Sequence, residues 1–123
     1  MKGILKELEK FLIDQEWKMT IIAWLIFVAA AVLEVGGDAL VRRGLRTRGL
    51  VVIIAGMAIL GFYGLTVNMV KWDFSKLLGV YVAVFALVSI LFGRFFFLEN
   101  IAASTWFGLI LIIAGGMVIQ FGK

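Results

Sequence analysis

The chemistry open to this sequence centres on one carboxylate. Glu34 stands in an apolar run from about Met19 to Val41 that is interrupted only by Glu34 and Asp38. At helical spacing Trp24, Phe27, Ala31, Glu34 and Asp38 fall along one face. An acid at the centre of a membrane helix costs about 2.5–3.5 kcal/mol on insertion scales, and such residues usually face a cavity or a partner. Desolvation disfavours the charged form of an acid, so Glu34 is expected to hold a proton when empty. A bound cation would expel that proton, making the two ligands mutually exclusive. The aromatic faces of Trp24 and Phe27 suit a lipophilic or guanidinium-like cation. Small Ala30, Ala31, Gly36 and Gly37 leave room around the acid or admit another helix. The bland alternative is a Glu34 satisfied by Arg94 or by a hydroxyl from another helix.

Asp38 lies one turn beyond Glu34, and Arg42 one turn further. That i, i+4 order reads as a salt bridge at the membrane edge; the alternative is a second carboxylate coupled to Glu34 at the mouth of a pathway. Further lining candidates are Tyr63 and Asn68 in the second apolar stretch and Tyr81, Phe85 and Ser89, at four-residue spacing, in the third. With neither cysteine nor histidine, disulfides, thiolate chemistry and imidazole metal sites are excluded. No nucleophile–base or metal constellation points to an enzyme, and no cofactor is implied.

The elements that must position these residues are membrane spans. The chain has 123 residues, 63% of them hydrophobic, and a mean hydropathy of +1.10; soluble domains have roughly 45–50% apolar residues. Spans are expected at about 19–41, 50–70, 77–98 and 101–121, each near the ~20 residues a helix needs to cross the bilayer. Short connections at Arg42–Gly49, Lys71–Lys76 and Glu99-Asn100 join them into an all-α, four-helix up-down bundle. Barrel strands would alternate, and these stretches do not. Trp17 and Trp72 sit where interface-anchoring aromatics belong. Gly61, Gly64 and Asn68 in the second span, and Gly108, Gly115 and Gly116 in the fourth, read as close helix contacts, within the bundle or between subunits.

Residues 1–18 differ in kind. Ile4, Leu8, Phe11, Leu12 and Gln15 keep helical spacing opposite Lys2, Lys6, Lys10 and Asp14, so a short amphipathic helix lying in the interface is expected ahead of the 19–123 membrane domain. A plain solvated helix is the alternative. The net charge of +4, carried mostly between apolar stretches, fits anionic lipid headgroups rather than nucleic acid. Near the membrane the basic residues balance. Arg42, Arg43, Arg46, Arg48 and Arg94 lie on one side, and Lys10, Lys18, Lys71, Lys76 and Lys123 on the other. The positive-inside rule therefore gives almost no bias. Either other effects select one orientation, or both orientations insert and pair as an antiparallel homodimer.

The segments Ala29-Ala30-Ala31-Val32-Leu33-Glu34-Val35-Gly36-Gly37 and Leu78-Gly79-Val80-Tyr81-Val82, with the apolar run Trp106 to Ile119, resemble the small multidrug resistance proteins of the drug/metabolite transporter superfamily, and most of all its YnfA-like branch. The likeness covers roughly residues 20–122. It implies a multi-pass protein of the inner (plasma) membrane that exchanges protons for cationic substrates as a dual-topology homodimer. Glu34 of both subunits would form the site, with Tyr81 in the place of the third-span tyrosine. The better-known drug exporters have a proline and a Trp-Ser-Gly stretch around that tyrosine; this chain has no proline and reads Tyr81-Val82-Ala83-Val84-Phe85-Ala86. A translocase of a lipid-linked carrier, a subunit of a heteromeric transporter and a non-transporting accessory or assembly protein are the alternatives. Dual topology has a direct consequence: single cysteines at Arg48 and at Lys71 each label from both faces of the membrane. Labelling from one face only would remove the antiparallel pair.

Overall fold

The computed structural model describes residues 1–122, so Lys123, used above in the charge balance, lies outside them. Four helices account for nearly all of the chain: α1 (Lys2–Thr47), α2 (Leu50–Val67), α3 (Phe74–Phe95) and α4 (Ala103–Phe121). Each is long and apolar enough to cross a membrane.

The boundaries depart from the sequence reading in ways local chemistry explains. The N-terminal segment is not a separate element: α1 runs unbroken through Lys18, with 46 residues spanning about 69 Å at 1.5 Å per residue. No Gly or Pro stands near residue 18 to break it, and residues 1–19 are exposed along their whole length. At the other end the helix carries Arg42, Arg43 and Arg46 on its last turns, where cations complement the carbonyl end of the dipole. Only Arg48, in the left-handed region at φ 57°, and Gly49 connect α1 to α2. The second span ends at Val67, because Met69 and Val70 bond to Thr66 and Val67 in tight turns. The third begins earlier than expected, at Phe74, with the Leu77 N–H on the Asp73 carbonyl at 2.8 Å. It ends where Leu98 turns left-handed at φ 54° and the Glu99 N–H closes on the Gly93 carbonyl at 2.9 Å.

Glycines set how closely the helices approach. A Cβ on Gly37 would meet Leu60 at 2.9 Å, one on Gly56 would meet Val41 Cγ2 at 2.7 Å, and one on Gly44 would meet Ile53 at 2.5 Å. The α1–α2 hairpin is therefore packed backbone to backbone, as membrane helices do in the absence of a hydrophobic force between them. Helix α4 is laid against α3 in the same way: a Cβ on Gly116 would meet the Ala83 Cβ at 2.8 Å, and one on Gly79 would meet Ile119 at 2.7 Å. Gly61, Gly64, Gly108 and Gly115 face open space instead.

The resulting spatial order is α2–α1–α3–α4. Among the described residues backbones touch only between neighbours in that row, and α4 does not reach α1. The core lies where the first three helices meet, around Phe27, Ala30 and Ala31 of α1, Val67 of α2, and Val80 and Tyr81 of α3. Gly56→Leu should lower the melting free energy in detergent by about 1–3 kcal/mol, the usual cost of overpacking. Gly61→Ala, which meets nothing, should leave it unchanged or raise it by up to about 1 kcal/mol through helix propensity. Equal losses at both positions in a thermal melt would contradict this packing.

Candidate functional site

The first and third helices run parallel, which brings the middle of α1 against the start of α3. There the Tyr81 hydroxyl donates to Glu34 Oε2 at 2.6 Å. That length is within the ordinary range for an O–H···O hydrogen bond. Of the two structural partners considered for Glu34, a hydroxyl from another helix is the one realised. Arg94 is exposed at the last turn of α3.

Aromatic rings surround the pair. Phe27, fully buried, meets Tyr81 edge-on at 5.8 Å between centroids, and Trp24 meets Phe27 at 6.1 Å. Tyr63 reaches across from α2 to lie tilted on Tyr81 at 5.6 Å, and Phe85 lies on its other side at 6.3 Å. Ala31, also fully buried, supplies no bulk on the Glu34 face. Phe27, Tyr63 and Phe85, from three helices, thus pack on the Tyr81 ring that holds Glu34, with Trp24 against Phe27 about 15 Å along α1 from the acid. Trp72 joins them, edge-on to Phe27 at 5.4 Å with the Lys76 ammonium 4.7 Å above its ring. Its place in a short connection had suggested only an interface anchor, since a residue outside a helix carries no periodicity to show which way it points.

The remaining candidates sit elsewhere. Asn68 ends α2 and is exposed; its amide donates to the Gly64 carbonyl at 2.8 Å and so serves the helix terminus. The Asp38–Arg42 salt bridge is not formed: no acid–base pair among the described residues comes within 4.0 Å. Both side chains instead border a cavity of about 250 Å³ between the ends of α1 and α3, shared with Phe85, Ser89 and Glu99. The Ser89 hydroxyl donates to the Ala86 carbonyl at 2.9 Å. Glu99 is a member that the sequence reading missed. The left-handed turn at Leu98 folds it back until its carboxylate lies over Gly93, where a Cβ would meet Oε2 at 2.8 Å. Phe85 borders this polar cavity and also lies against Tyr81.

A family model described as "Uncharacterised BCR, YnfA/UPF0060 family" matches residues 20–123. The chain belongs to the YnfA/UPF0060 family. Among its relatives, a UPF0060 membrane protein of Mycobacterium marinum is 34% identical over 84% of this chain and 96% of its own length. One of Saccharopolyspora erythraea is 36% identical over 78% and 89%. One of Streptomyces avermitilis is 34% identical over 78% and 88%. No solved structure matches the chain significantly. The UPF0060 match takes in every site residue described above and begins after the exposed N-terminal part of α1.

Within this UPF0060 chain, Tyr81→Phe should cost about 1–3 kcal/mol of stability, the range for leaving a buried acceptor without its donor. Glu34→Gln, which keeps an acceptor, should cost less. A Tyr81→Phe protein that melts like the wild type would show that the contact holds nothing together.

Proposed function

We propose that this multi-pass membrane protein is a proton-coupled exporter of small organic or lipophilic cations, acting as an antiparallel, dual-topology homodimer in the inner (plasma) membrane. The observation that carries the reading is the 2.6 Å hydrogen bond from Tyr81 to Glu34 inside the spans. A carboxylate at this depth is costly and functional by default, and here it faces the Tyr81 hydroxyl of another helix rather than a cation. A carboxyl group held by Tyr81 can exchange that donor for another ligand. Proton and cation compete for it, and neither binds while the other is present.

The surrounding chemistry selects the cargo. Rings of Trp24, Tyr63 and Phe85, with Phe27 buried behind them, offer π faces and apolar surface without a fixed positive charge of their own, which favours a hydrophobic cation over a hydrated one. Asp38, Ser89 and Glu99 form a polar antechamber beside Phe85. In the dimer each subunit contributes its own Glu34, and the balanced basic residues on the two faces of the chain permit opposite insertion of the two copies. The protein is a carrier and catalyses no covalent step.

Reconstitution tests this. Proteoliposomes of the wild-type chain should accumulate a fluorescent lipophilic cation when a pH gradient is imposed, and Glu34→Gln should reduce that flux to the level of empty vesicles. Tyr81→Phe should slow it by about tenfold, the equivalent of one hydrogen bond at ~1.4 kcal/mol. Proton-coupled flux that persists in Glu34→Gln would overturn the assignment. Absence of any cation flux in the wild type would favour an accessory role or a lipid-linked cargo.

A further inference from the structure

Because α4 packs on α3 and stops short of α1, a groove runs along the flank of the molecule between α1 and α4, floored by α3. Its two halves differ in chemistry and meet at Trp24. The outer half, about 350 Å³, is bordered by Glu16, Trp17 and Trp24 of α1 and by Gln120 and Phe121 at the end of α4. The inner half, about 250 Å³, is bordered by Trp24, Val28, Leu87, Ile113 and Met117 and exposes no polar surface. From Trp17 to Val28 the groove descends about 16 Å at 1.5 Å per residue, from interface depth into the hydrocarbon layer.

We infer that this groove binds one membrane phospholipid with a primary ammonium headgroup, its head in the outer half and an acyl chain along the inner half. Three features select that occupant. Among the described residues, those bordering the outer half carry one acid and no base, so a zwitterionic head that presents an ammonium is favoured over a net-anionic one. Two tryptophans stand beside the acid, and indole faces attract ammonium groups. Finally, Gln120 Oε1 is buried and accepts no hydrogen bond from the described residues. A buried acceptor without a donor is unfavourable, and a headgroup N–H at this end of the groove would supply one. The inner half accepts hydrocarbon and nothing else. The close approach of Gly116 to Ala83 holds α4 on α3 and keeps the groove open. The groove shares Trp24 with the aromatic cluster but contains neither Glu34 nor Tyr81, and it does not depend on the transport reading.

The full chain, stripped of lipid in mild detergent and titrated with phosphatidylethanolamine or phosphatidylglycerol, should retain one ethanolamine lipid per chain in native mass spectra. Its preference over the glycerol lipid should be about tenfold, as expected for a desolvated ammonium on indole and carboxylate. Glu16→Gln should remove most of that preference while leaving total lipid retention near wild type. Met117→Trp, which fills the inner half, should lower retention of both lipids. Several results would overturn the inference: equal retention of the two lipids by the wild type, a preference unchanged by Glu16→Gln, or retention unaffected by Met117→Trp. So would binding of dodecylamine without binding of the ethanolamine lipid, which would make the occupant a free amine. A disulfide between Val28→Cys of one copy and Met117→Cys of another would give the groove to a subunit contact and would equally overturn it.

Discussion

A carboxylate taken out of water must find a donor, and the Tyr81–Glu34 hydrogen bond meets that demand in a way that ties the whole arrangement together. It joins the middle of α1 to the first turns of α3 and so fixes the register of two parallel helices that are far apart in sequence. With that register set, Phe27 falls between Tyr81 and Trp72, and Phe85 lies against Tyr81 while bordering the polar cavity at the helix ends. The aromatic cluster and the acid are therefore one unit. Moving either helix by a turn, about 5.4 Å, would leave the carboxylate without a partner and the rings without each other.

Packing elsewhere is governed by the absence of a hydrophobic force between helices in lipid. Contact must come from close fit, and close fit here comes from Gly37, Gly44 and Gly56 in the α1–α2 hairpin and from Gly79, Ala83 and Gly116 between α3 and α4. These contacts are pairwise and produce a row of helices rather than a closed ring. An open row leaves two broad apolar flanks and a groove between α1 and α4. It also leaves Gly61, Gly64, Gly108 and Gly115 facing outward on the outer helices. A monomer built this way has surface that lipid or another copy covers.

Much of the site could be read from residue order alone. Glu34 and the face of Trp24, Phe27 and Ala31 follow from a 3.6-residue period in one helix, which is local information. Tyr63, Tyr81 and Phe85 were nameable as polar or aromatic residues in spans. That all three close on Glu34 depends on how α2 and α3 pack, which no single-helix period encodes. Asn68 and Asp38 illustrate the limit from the other side. Each had the right residue type near the right face, yet Asn68 serves a helix end and Asp38 borders a cavity with Glu99 next to the aromatic cluster. The decisive factor was backbone termination, a turn at Met69 and a left-handed residue at Leu98, and neither leaves a strong mark in composition.

By itself, the sequence determined that this chain crosses the bilayer four times as helices and carries an acid at depth. Hydrocarbon allows no unsatisfied backbone and charges heavily for a carboxylate, so length, apolarity and one Glu suffice for those conclusions. Only the tertiary structure decided which hydroxyl satisfies Glu34, that the first helix continues unbroken from its exposed N-terminal part into the membrane, and that α4 leans on α3 and leaves a groove beside α1. Those outcomes turn on the close approach of particular glycines and on the directions of side chains from different helices, and these exist only once the helices are packed.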